Sequence, residues 1–124
     1  SDRLVISDGN FPAESMGKNA IVIRCDGHGV PEILDAILQV FPLDTYVEKP
    51  VNLMAVMEGD DVETPIWDTY KELVAKYDER GAAAVGNIER FKFYDEAKTA
   101  YAIIATGESA LYANIMLQKG VVVE

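Results

Sequence analysis

NAIVIRCDGHGVPEILDAILQVFP, residues Asn19–Pro42, decides the fold class. Its opening residues, 19–25, are an apolar, β-branched run of strand length and read as a mostly buried strand. Gly27-His28-Gly29 breaks that run. Pro31 then stands where a first helical turn has no use for an N–H. Val30, Ile33, Leu34, Ile37, Leu38 and Phe41 follow at i, i+3, i+4, i+7, i+8 and i+11. They form one apolar stripe on a helix that stops by Pro42. Strand, glycine turn and amphipathic helix in succession are one half of an α/β unit.

The same alternation continues on both sides. Residues 3–7 predict a short strand closed by the turn signal Asp8-Gly9-Asn10, and residues 51–58 a third strand. Thr64-Pro65 opens a second helix with Ile66, Tyr70, Leu73, Val74 and Tyr77 on one face and Gly81 beyond its end. Residues 85–89 predict a strand, and 91–99 a short helix carrying Phe91, Tyr94 and Ala97. Residues 100–105 read as a central strand, and 114–117 as the last one, after the loop 106–112. No linker, repeat or low-complexity stretch divides the chain, so residues 1–124 are expected to form a single domain. The expected architecture is α/β: three layers, a mixed β-sheet with helices packed on it. Long crossovers suit parallel pairs, while the short loop between the last two strands permits an antiparallel one.

Composition narrows the function. The 124 residues carry 11 Lys+Arg against 21 Asp+Glu, a net charge of −10. That balance argues against a nucleic acid or an anionic membrane as partner. Cys25 and His28 are the one cysteine and the one histidine, too few for an internal disulfide or a usual zinc site. The expectation is a reduced, cytoplasmic protein without metal or cofactor. Apolar residues make up 49% of the chain, enough for a core, yet no apolar run approaches the ~20 residues of a membrane span.

Several residues could carry chemistry. His28, flanked by glycines, could act as a general acid or base, but no acidic partner is fixed by its spacing. Asp8 ends a strand, where α/β sheets commonly bind ligands, although Asp-Gly is also an ordinary turn. Arg90 stands beside Phe91, Phe93 and Tyr94, a pairing that clamps ligand oxygens as readily as it decorates a surface. Tyr112 and Asn114 supply donors and acceptors suited to a polyol. Gly107-Glu108-Ser109 lacks the setting of a serine nucleophile, and no phosphate-binding glycine loop occurs. The acidic run Glu58-Gly59-Asp60-Asp61 has no cation-loop spacing and reads as a solvated face. Residue chemistry alone reaches an α/β domain with a polar pocket.

Taken together, the segments resemble a known family. Leu4–Ala13, Ser15-Met16-Gly17, Phe41–Tyr46, Arg90–Ala97, Thr106-Gly107-Glu108 and Tyr112–Leu117 match, in order and spacing, the L-fucose mutarotase family. A related branch, the D-ribose pyranases, shares the strand-Asp turn and the Tyr-Ala-Asn ending. The resemblance implies an isomerase interconverting the α and β anomers of a free monosaccharide without cofactor or metal. It implies a homodecamer of two pentameric rings. Its sugar contacts fall on Asp8, Arg90, Tyr112, Ala113 and Asn114, with Tyr112 acting at the anomeric oxygen. The family's proton-donor histidine precedes the residues matched by Ser1-Asp2, so it is expected immediately before Ser1, and His28 does not inherit its role. Two other readings stay open on the residues: a ribose pyranase, and a monosaccharide-binding module without catalysis.

Overall fold

The computed structural model describes residues 2–121. Six strands make one sheet: β1 (Arg3–Ser7), β2 (Ile21–Cys25), β3 (Val51–Met54), β4 (Val85–Ile88), β5 (Ala102–Thr106) and β6 (Ile115–Gln118). Their spatial order is β2-β5-β1-β6-β3-β4. β1 and β2 both run parallel to β5, and β3 runs parallel to β4. β6 lies between the two halves, antiparallel to β1 and to β3. The antiparallel strand is thus the last one, but its partners are not β5. The short loop before β6 carries the chain over β1 instead.

Four helices cover the two faces: α1 (Ala13–Met16), α2 (Val30–Leu38), α3 (Pro65–Tyr77) and α4 (Arg90–Ala97). Side chains alternate across a strand, so each central strand feeds both layers. Leu4 and Ile6 join Leu34, Tyr70 and Val74 beneath α2 and α3. Val5 between them joins Phe93, Ala97 and Ile103 on the opposite face, with α1 and α4. The register carries this alternation across the sheet: Val5 lies beside Ile103 and Met116, and Ile6 beside Ile104 and Ile115. Tyr70 and Phe93 are the largest fully buried side chains, one in each layer. This is the expected three-layer α/β fold.

Several boundaries differ from the sequence reading. β3 stops at Met54 and α2 at Leu38, where Gln39 caps it well before Pro42. α1 is a single turn, too short for a periodic stripe. A 3-10 turn, Gly81–Ala84, occupies what was expected to be loop, and its Gly81 takes a φ of 57°. The larger correction concerns β2, which is an exposed edge strand and not a mostly buried one. Val22 packs into the α1/α4 layer. Ile21 and Ile23 face the other way, 64% and 47% exposed, because α2 and α3 cover the middle of the sheet and not this edge.

Candidate active site

Strand direction gathers the site. β1, β3, β4 and β5 end at the edge of the sheet where the antiparallel β6 begins. Asp8 after β1, Arg90 after β4 and the Tyr112-Ala113-Asn114 segment before β6 therefore converge on one edge, the usual binding side of an α/β sheet. Asp8, Arg90, Tyr112 and Asn114 line one cleft of about 150 Å³, room for roughly one six-membered ring.

Asp8 is buried at the cleft wall. Its Oδ1 accepts the Asn10 N–H at 3.0 Å, and its own N–H donates to Asn114 Oδ1 at 2.8 Å. Burial raises the Asp8 pKa above the ordinary carboxylate value, against the lowering effect of backbone N–H donors from Asn10, Ala113 and Phe11. Asn114, likewise buried, is thereby fixed in orientation by the backbone of the residue it serves.

Arg90 opens α4, whose N-terminus is capped by the Glu89 carboxylate through the N–H groups of Phe91 and Lys92. Its guanidinium lies 5.8 Å from the centre of the Tyr112 ring, within cation–π reach. Arg90 Nε is buried and makes no hydrogen bond within the described chain. A buried donor of that kind calls for an acceptor from elsewhere.

Tyr112 is the one non-glycine residue with positive φ among those described, at 53°. The left-handed region costs such a residue roughly 1–3 kcal/mol and persists where surrounding contacts enforce it. Here α3 does so. Trp67 Nε1 donates to the Tyr112 carbonyl at 2.7 Å, and the Tyr70 hydroxyl to the Ala113 carbonyl at 2.6 Å. Burial, with the nearby charges of Glu108 and Asp8, pushes the Tyr70 pKa far up, so it stays a protonated donor. The Tyr112 hydroxyl donates to Asp60 Oδ2 and accepts the Met57 N–H at 3.2 Å.

Ala113 is fully buried and contributes to this edge through its backbone, not as a wall of the cleft. Glu108 is structural: Oε1 accepts the first N–H of α2, from Val30, and Oε2 accepts those of Ser109 and Ala110. His28 lies outside the cleft, its Nδ1 2.7 Å from Glu32 on the exposed start of α2. The histidine expected before Ser1 falls outside the described residues. Met54, Tyr94 and Leu111 also line the cleft, and Phe11 joins them with its ring tilted against Tyr94 at 5.9 Å. Sequence reasoning named Tyr94 beside Arg90 and passed over the other three, since each also fits an ordinary core or loop position. Among the described residues no three His, Cys, Asp or Glu side chains are grouped to hold a metal. No described helix is long and apolar enough to cross a membrane.

Comparison with known proteins agrees with this fold. The family model of the RbsD / FucU transport protein family matches residues 1–122. The human fucose mutarotase is 44% identical over 125 residues, covering 97% of this chain and 79% of that protein. The crystal structure of FucU from Bifidobacterium longum superposes with a TM-score of 0.96 at 67% identity, covering 98% of this chain and 85% of that one. The fucose mutarotase of Streptococcus pneumoniae, solved in complex with L-fucose, gives a TM-score of 0.90 at 44% identity over 98% of this chain and 84% of that one. The chain belongs to the RbsD/FucU family.

Proposed function

We propose that this protein is an aldose mutarotase that interconverts the α and β anomers of L-fucose. The observation that carries the reading is the convergence of Asp8, Arg90, Tyr112 and Asn114 on one ring-sized cleft, in a chain so similar to fucose mutarotases. Opening a pyranose requires a proton at the ring oxygen and removal of one from the anomeric hydroxyl. The freed aldehyde rotates and recloses on its other face. The bond between the anomeric carbon and the ring oxygen breaks and re-forms as the two protons move, with no net change of oxidation state, so the reaction calls for no redox or group-transfer cofactor. General acid–base catalysis contributes roughly 10²–10⁴-fold to such steps.

Asp8 and Arg90 hold sugar hydroxyls, since hydrogen bonds to charged groups are the stronger ones. The buried, unpaired Nε of Arg90 supports this role. Asn114 orients a hydroxyl beside Asp8, and Tyr112 acts at the anomeric oxygen. The working unit is a homodecamer of two pentameric rings in the cytoplasm. Support for assembly lies beside the cleft, where Leu111 and Phe91 are 56% and 63% exposed and available to a neighbouring copy.

Polarimetry on freshly dissolved sugars tests the activity. The full-length protein should speed the optical-rotation decay of L-fucose well beyond that of D-ribose. Equal or greater acceleration with D-ribose would assign the chain to the pyranase reaction instead.

A further inference from the structure

We infer that Asp60 is a positioning residue for this reaction, holding the Tyr112 hydroxyl so that it meets the sugar as a hydrogen-bond acceptor. The inference rests on the proposed anomer interconversion. Asp60 is exposed on the connection between β3 and α3 and does not line the cleft, so it acts through Tyr112.

A tight turn builds the arrangement. The Asp60 N–H donates to the Met57 carbonyl at 3.0 Å, and Gly59 between them takes a φ of 93°, which favours glycine. That turn presents two groups to one phenolic oxygen. The Met57 N–H donates to Tyr112 Oη at 3.2 Å, and Asp60 Oδ2 accepts the phenolic proton. An ionised carboxylate only accepts, so the direction of the second bond is fixed. A tyrosine hydroxyl has one proton to give, and here it is given to Asp60. What Oη retains is acceptor capacity.

That capacity suits the chemistry. The anomeric hydroxyl must lose its proton for the ring to open, so it needs an acceptor opposite it. A phenol free to rotate could instead donate its proton to the anomeric oxygen, and would then not be accepting the proton that must leave. Tyr112 cannot relax out of the arrangement, because α3 clamps its carbonyl and that of Ala113 while its φ is held at 53°. Backbone and hydroxyl are thus fixed from two sides, by α3 and by the Met57–Asp60 turn.

The test is a set of variants in the full-length protein, read by saturation transfer between the anomer signals of L-fucose. Asp60→Ala should lower kcat/KM about tenfold, the scale of one charged hydrogen bond. Asp60→Asn keeps an oxygen that accepts the phenolic proton and should restore kcat/KM to within about threefold of wild type. In a Tyr112→Phe background, Asp60→Ala should cost nothing further, as expected of two residues acting as one unit. Three results would overturn the assignment alone: no loss in Asp60→Ala, an equal loss in Asp60→Asn, or an undiminished loss in the Tyr112→Phe background. A wild-type protein that leaves anomer exchange unaccelerated would overturn the reaction, and this assignment with it.

Discussion

The Asp8 carboxyl is withheld from the water an anion needs, and burial outweighs the N–H donors that favour its charge. Its folded pKa lies above the unfolded one, so the fold binds the proton more tightly than the unfolded chain does. The cost to stability is absent below the ordinary carboxylate pKa and grows as pH rises toward the raised value. Asp8→Asn should therefore melt higher than wild type at pH 7, the gap closing as pH falls toward about 4, while losing most of its anomer exchange. Thermal melts across pH, beside exchange rates, check both halves. Arg90→Ala should lose about tenfold or more in kcat/KM, since it removes a charged donor aimed at the sugar. His28→Ala should leave the exchange rate unchanged, because the ring pairs with Glu32 at the surface, away from the cleft. At this scale the sequence was informative where residue type limits the options. Asp8, Arg90, Tyr112 and Asn114 share one cleft. Asp60 was hidden, because an acidic run reads as a solvated face and its partner lies 52 residues away.

Among the elements, the loop from Thr106 to Glu108 knits three parts of the sheet edge together. Thr106 Oγ1 donates to the Ser7 carbonyl at 2.7 Å, Gly9 N–H donates to the Glu108 carbonyl at 2.9 Å, and Glu108 caps α2. Gly107 passes so close to Asp26 that a Cβ would stand 2.1 Å from its carbonyl oxygen. Glu108→Ala should cost about 1–2 kcal/mol in urea unfolding, the usual loss of a helix cap. It should also slow exchange, since the same loop holds the turn that carries Asp8. Helix and strand identities followed from periodicity in α2 and α3, whose stripes face the core as Leu34, Leu38, Tyr70 and Val74. Their ends did not: α2 stops at Leu38, before Pro42 is reached. The cap on Val30 comes from 78 residues along the chain, which no local pattern encodes.

For the molecule as a whole, the exposed apolar side chains carry the open question. Ile21 and Ile23 on β2, Val40, and Tyr46 at 90% exposure are apolar surface that the proposed assembly would cover. An apolar run reads the same whether its own helices or a neighbouring copy cover it, which is why β2 was expected to be buried. Sedimentation equilibrium should give a closed assembly near ten times the 13.6 kDa chain. A monomer at micromolar concentration would contradict that. Ile21→Lys with Ile23→Lys should break the assembly with little effect on secondary structure, as circular dichroism would report. The most direct test of the central claim is NMR saturation transfer between the α and β signals of L-fucose at equilibrium, with the full-length protein at catalytic concentration. Transfer well above the spontaneous rate, abolished in Tyr112→Phe Arg90→Ala, is the expected result. Exchange at the spontaneous rate, with the protein folded and assembled, would contradict the account.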